Sequence, residues 1–206
     1  MRDKATLISQ KYSVTSCING LNLGVVVEGW ADYTYGMNNI NIPKTPIITE
    51  IPTVMNLKEA RDNCREFDAV ITAGPSRQEV GNFGHPIHKV VEFHDTMFEN
   101  NGGPSYENVA ELIEFGVGVP KLLVHCHAGI SRSTATAWGV AIANGQDPLD
   151  AFLELQRNHP KESSVFGRGF KRTFAPNILI VKHLDKYFNL GTTLLEIRQK
   201  HTEGGW

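Results

Sequence analysis

Residues 121–139, KLLVHCHAGISRSTATAWG, constrain this 206-residue chain more than any other stretch. Leu122, Leu123 and Val124 form a short apolar run that reads as a buried strand. From Ser133 to Asn144 the chain is rich in alanine and reads as a helix. Between them stands Cys126-His127-Ala128-Gly129-Ile130-Ser131-Arg132. A loop that opens a helix presents backbone N–H groups with no intrahelical partner, and the helix dipole adds partial positive charge there. Gly129 lets the backbone curl so that successive N–H groups point inward. The unit is an anion cradle in outline. A cysteine at its mouth is expected to have a lowered pKa and to exist as the nucleophilic thiolate. Arg132 closes the ring with a planar, permanently charged fork that matches two phosphate oxygens.

His125-Cys126-His127-Ala128-Gly129-Ile130-Ser131-Arg132-Ser133 resembles the signature of the cysteine-based protein tyrosine phosphatases. Within them it is most similar to the dual-specificity branch, whose loop reads His-Cys-x-Ala-Gly-x-Ser-Arg-Ser. Every fixed position is matched. A bare Cys-x5-Arg recurs by chance, whereas the longer pattern between a strand and a helix is specific. The resemblance covers roughly residues 56–189. It implies an α/β fold, with a central, mostly parallel sheet flanked by helices on both faces. The Cys-x5-Arg phosphate-binding loop would lie at the carboxyl end of a central strand. The alternation of strand-like and helix-like segments points the same way.

The resemblance also implies roles. Cys126 would be the nucleophile. Arg132 and the loop residues His127, Ala128, Gly129, Ile130 and Ser131 would bind the phosphate. Ser133 would help the cysteine leave the phosphoenzyme, and His125 would support the loop from beneath. His127 would project toward the pocket rim and meet a substrate charge. Displacement of an alkoxide or phenoxide is easier when an acid protonates the leaving oxygen. The family carries that acid as an Asp about thirty residues before the cysteine. Asp95 fits, directly after the apolar run at residues 89–93. Glu92 lies within that run, Glu99 has worse register, and Asp68 belongs to an earlier strand end. Residues 97–104, with Asn100-Asn101-Gly102-Gly103, read as a mobile loop.

Elsewhere the reading is coarser. Residues 1–53 form an N-terminal extension, or extra strands packed on the domain, with a strand at 23–27 and a Pro- and Asn-rich loop at 33–52. Residues 54–190 form the catalytic domain, and 191–206 a C-terminal tail with a short helix at 194–199. Helices are expected at 57–64 with Asn56 as N-cap, 106–115 with Ser105 as cap, and 148–157. Strands are expected at 69–73 and 87–93. A long helix at 175–187 takes Pro176 into its first turn. Its Pro-Asn start and Leu-x-x-Tyr end are similar to the last helix of dual-specificity phosphatases.

Composition narrows the partners. Apolar content of 41% and charged content of 20% suit a globular domain. The formal net charge is −2 and no basic block stands out, so neither nucleic acid nor an anionic membrane is expected as a partner. Three cysteines make no disulfide framework, and thiolate chemistry needs a reducing compartment, so a cytoplasmic location is expected. The first residues carry no signal-peptide core, and no stretch is long enough to span a bilayer. Cys64 reads as a packing residue, with a reversible disulfide to Cys126 as the alternative. The eight histidines show no helical His-x-x-x-His spacing, so no metal is expected, and no other cofactor.

The expected activity is phosphomonoester hydrolysis through a phosphocysteine intermediate. The expected substrate is a phosphorylated protein, bearing phosphotyrosine, with phosphoserine and phosphothreonine as further candidates. Lipid phosphatases of this superfamily often carry lysines inside the loop, and this loop has none. The alternatives are an RNA 5′-triphosphatase, a phosphoinositide phosphatase, or a phosphopeptide-binding module with little catalysis.

Overall fold

The computed structural model describes residues 8–13, 17–18, 21–22, 28–33, 48, 50–74, 76–81, 83–159 and 174–202. The strand expected at 23–27 and most of the loop expected at 33–52 lie outside them. The chain divides into two compact units, Met1–Asn39 and Ile40–Trp206. Among the described residues the first holds four strands: β1 (Ile8–Ser13), β2 (Cys17–Ile18), β3 (Leu21–Asn22) and β4 (Glu28–Tyr33). β1 pairs antiparallel with β4, placing Ile8 opposite Tyr33, and β2 pairs antiparallel with β3.

The second unit is built on a parallel sheet of β5 (Thr53–Met55), β6 (Ala69–Gly74), β7 (His88–Glu92) and β8 (Leu122–His125), in the order β5-β8-β6-β7. Parallel neighbours need crossover connections, and helices supply them. β6 and β8 are buried along their whole length, which is why both read as largely apolar runs rather than alternating ones. β5 escapes the sequence reading because three residues are too few to show a period and Pro52 reads as a breaker.

Local capping sets the helix starts. In α1 (Leu57–Asn63), Asn56 Oδ1 accepts from Glu59 N at 2.9 Å and Glu59 returns the bond to Asn56 N. α2 (Arg77–Val80) carries the same reciprocal cap through Ser76 and Glu79, and was hidden by the glycines on either side. In α3 (Tyr106–Gly116), Asn108 replaces the usual Glu of such a box, accepting from Ser105 N at 3.0 Å. α4 (Arg132–Ala143) and α5 (Pro148–Asn158) follow, the latter capped by Asp147. α6 (Ile178–Phe188) begins later than expected. Asn177 is its N-cap, so Pro176 stands before the cap rather than in the first turn. In α7 (Thr193–His201), Leu194 is fully buried, and Asp185 accepts from Leu194 N at 2.9 Å.

The strands send alternate residues to opposite faces. Ile71, Leu122 and Val124 pack against Ile113, Trp138, Phe152 and Ile180 from α3, α4, α5 and α6. Val70 and Leu123 turn the other way, onto Ala60, Cys64, Val80 and Phe83 beneath α1 and α2. Helices thus cover both faces of a central parallel sheet. Cys126 follows β8, a central strand, and Arg132 opens α4, so the loop between them lies at the carboxyl end of the sheet, where open α/β sheets bind ligands. Among the described residues no helix is long and apolar enough to cross a membrane.

Candidate active site

The loop from Cys126 to Arg132 is shaped by where its carbonyls go. Cys126 O accepts from His125 Nδ1 at 3.2 Å, and His127 O from Leu57 N at 3.1 Å. Gly129 O accepts from His159 Nε2 at 2.8 Å, Ile130 O from Ala175 N at 3.2 Å, and Ser131 O from Asn177 N at 3.0 Å. In a trans peptide the C=O and the following N–H point in opposite directions. Carbonyls tied back to the surrounding scaffold therefore leave the N–H groups facing the loop's own interior. Gly129, at φ +70°, supplies the left-handed turn this curl needs.

The sulfur of Cys126 sits inside that curl, with the residue 1% exposed. Gly129 N donates to it at 3.2 Å, and Ser133 Oγ lies 3.2 Å away. Against a thiolate, only the Ser133 hydroxyl can donate. The amide and the hydroxyl thus both lie within hydrogen-bond distance of the one sulfur.

Arg132 extends its side chain back across the end of the sheet. Its Nη1 donates to Phe93 O at 3.0 Å. Its Nε is buried, has no hydrogen-bond partner among the described residues, and lies 3.5 Å from Asp95 Oδ2. Gly74, at φ +101°, lets the guanidinium pass: a Cβ there would collide with it.

Asp95 is drawn into the same place. Its Oδ1 accepts from Ser131 Oγ at 2.8 Å and from Asn177 Nδ2 at 2.8 Å. Ser131, read from sequence as a loop residue, therefore also touches the candidate acid. The rival carboxylates are engaged elsewhere. Glu92 accepts from Arg77 N, Glu99 lies 3.1 Å from His183, and Asp68 accepts from Lys121 N. The turn after Asp95 folds back, with His94 N donating to Gly102 O at 2.7 Å. An open cavity of about 590 Å³ has Asp95, His127 and Arg132 in its lining, with Glu79, Glu92 and His94 on its walls.

His125 lies beneath the loop, fully buried and stacked on Phe83 at 4.8 Å. Its Nε2 is 2.6 Å from Thr72 Oγ1, which is 2.7 Å from His88 Nε2. Burial lowers the pKa of His125 to about 4, against the bond to the Cys126 carbonyl. Burial, with positive charge on His85 and Arg77, also lowers that of His88 to about 4. Thr72, His88, Gly74, His159 and Asn177 were not read as site residues. The one signal was a polar threonine within the apolar run of β6. Cys64 donates to Phe83 O in the apolar layer under α1. Among the described residues no group of three or more His, Cys, Asp or Glu is placed to hold a metal ion.

No family model matches the chain, and no curated protein does. Solved structures do. The chain is similar to two phosphatase structures. Tk-PTP in its active form is 19% identical with a TM-score of 0.41, over 67% of this chain and 90% of that one. The Yvh1 phosphatase domain from Chaetomium thermophilum is 12% identical with a TM-score of 0.41, over 74% and 96%.

Proposed function

We propose that the chain is a cysteine-dependent phosphatase of the dual-specificity type, acting on phosphorylated proteins. One observation carries the reading. A buried cysteine sulfur accepts from Gly129 N and lies beside the Ser133 hydroxyl, inside a loop whose carbonyls are tied outward and next to an arginine whose Nε makes no hydrogen bond. In the first step the Cys126 thiolate attacks phosphorus. The S–P bond forms, the bond to the leaving oxygen breaks, and Asp95 gives that oxygen a proton. In the second step Asp95, now carboxylate, takes a proton from water as the water attacks phosphorus. The S–P bond breaks, phosphate leaves, and the Ser133 hydroxyl donates to the departing sulfur. Loop amides and Arg132 hold the equatorial oxygens, and this fixed array of donors supplies most of the acceleration. His127, Ala128, Gly129, Ile130 and Ser131 furnish the cradle. These steps require no cofactor.

The cavity walls favour phosphoprotein over a polyanion. Glu79 and Glu92 stand there with Asp95, and the loop adds no lysine. A phosphoinositide or a triphosphorylated RNA end would bring further negative charge against these carboxylates. The reading goes with a reducing compartment such as the cytoplasm. It also goes with a catalytic unit at residues 54–190, bearing an N-terminal extension at 1–53 and a tail at 191–206.

The test is turnover on phosphotyrosine peptides, phosphothreonine peptides, phosphoinositides and triphosphorylated RNA, for the protein and for Cys126→Ser. Phosphopeptides should be hydrolysed and the serine variant should be inactive, still folded, and still able to bind oxyanions. Retained turnover in Cys126→Ser would end the thiolate mechanism. Preference for RNA or lipid would end the substrate assignment.

A further inference from the structure

Behind the nucleophile, on the side away from the cavity, three side chains from three strands form a single line. Thr72 of β6 lies opposite His125 of β8 in the ladder, and His88 of β7 reaches the same hydroxyl from the other side. Phe83 packs against both imidazoles, at 4.8 Å from His125 and 5.0 Å from His88. The bond directions in this line follow from simple rules. The Cys126 carbonyl can only accept, so His125 Nδ1 carries a proton. A neutral ring then has a lone pair on Nε2, so Thr72 must donate to it. The Thr72 hydroxyl has one proton, so the bond to His88 must run the other way, from His88 Nε2–H to Thr72 Oγ1. Every donor is assigned, from the half-buried His88 to the peptide of the nucleophile.

We propose that Thr72 and His88 are positioning residues, which through His125 hold the Cys126 carbonyl behind the loop and so aim the first cradle amide at the bound oxyanion. The reasoning is geometric. The carbonyl of Cys126 and the N–H of His127 belong to one planar trans peptide. If the carbonyl is pinned backward, the N–H is pinned forward, into the cradle. If the pin is lost, that peptide can rotate. The cradle then loses an oriented donor, and the sulfur beside it loses a share of its positive surroundings. Both rings must stay neutral for the line to hold as drawn. The charged groups facing them are His88 and Arg61 toward His125, and His85 and Arg77 toward His88. All are cationic when protonated and oppose a further proton, as does burial.

This inference rests on the thiolate reading of the site, and its test separates the two. Two-bond 1H–15N spectra of histidine-labelled protein at pH 7 report ring tautomers without reference to activity. His125 should be neutral with its proton on Nδ1, and His88 neutral with its proton on Nε2. Three variants then report consequence: Thr72→Val, Thr72→Ser and His88→Leu. Two rates are followed, alkylation of Cys126 by iodoacetate at pH 6 and kcat/KM on an aryl phosphate. Loss of one buried hydrogen bond should cost about tenfold in both for Thr72→Val. Thr72→Ser, which keeps the hydroxyl, should restore both, and His88→Leu should fall between. Should Thr72→Val fail to fold, His88→Leu at its half-buried strand position carries the comparison. A proton on His125 Nε2 in the unaltered protein, or folded Thr72→Val and His88→Leu proteins with unchanged alkylation, would overturn the proposal. The stated tautomers and variant effects on alkylation, in a protein that turns over no phosphoester, would sustain the positioning role and overturn the phosphatase reading.

Discussion

The two buried histidines make a quantitative prediction about acid stability. Each has an ordinary pKa near 6.5 that the fold lowers to about 4. The unfolded chain takes up protons at these rings as pH falls through 6.5, while the folded chain refuses them until about pH 4. Between those values the unfolded state binds more protons, so stability rises with pH in that window and is lost on acidification. The full shift of one ring corresponds to about 3 kcal/mol, and at pH 5 His125 alone accounts for about 2 kcal/mol of loss relative to pH 7. His88 adds less, because it is only half-buried. Against a typical domain stability of about 5–15 kcal/mol this is easily measured. Urea unfolding at pH 7 and pH 5 gives the difference directly. His125→Asn keeps an N–H donor for the Cys126 carbonyl but cannot titrate, so it should flatten the dependence by about the His125 share. His88→Gln should flatten it by less. Equal stability of the protein at the two pH values, or an unflattened dependence in His125→Asn, would refute the reasoning.

Asp95→Asn should slow turnover of phosphopeptides by about a hundredfold to ten-thousandfold, and an activated aryl phosphate by much less, since its phenol leaves unaided. Glu99→Gln should lose little, and a large loss there with an unaffected Asp95→Asn would move the acid to the other residue. Gly74→Ala places a methyl group against the Arg132 guanidinium at a backbone φ of +101°, so vanadate affinity and kcat/KM should both fall at least about tenfold. Undiminished vanadate binding in a folded Gly74→Ala protein would show that Arg132 is not held as described. Turnover should persist in saturating chelator, because the proposed chemistry runs through sulfur, and a loss restored by zinc or manganese would refute it.

What the sequence discloses depends on how local the physics is. The loop from His125 to Ser133 is legible because anion binding, a glycine turn and a helix start must all coincide within a few residues. The caps at Asn56 and Ser105 are legible for the same reason, being contacts between residues three apart. Asp95 is legible only through the resemblance, which places an Asp about thirty residues before the cysteine. Asn177 was seen only as part of a helix start, because its bond to Asp95 spans 82 residues of chain. Thr72 and His88 were passed over because their meaning depends on strand order. β7 and β8 flank β6 in space, though neither sequence distance nor periodicity says so.

Arg132 shows why such long-range contacts matter to the chemistry. An arginine with every nitrogen free would bind phosphate loosely, since its rotamers would have to be frozen on binding. One with every nitrogen bonded to the scaffold would have nothing left to give. Here Nη1 is anchored on the Phe93 carbonyl, while the buried Nε makes no hydrogen bond and faces Asp95 in an ion pair at 3.5 Å. A phosphate oxygen arriving in the cradle can take the Nε donor without breaking a hydrogen bond already made. Asp95 has its own hydrogen bonds, from Ser131 of the loop and Asn177 of the cap of α6. The hydrogen bonds that hold the acid and the arginine therefore involve different groups, and the two side chains meet in their ion pair. A change at the α6 cap should disturb the acid and leave the anion clamp in place, whereas a change at Gly74 should do the reverse.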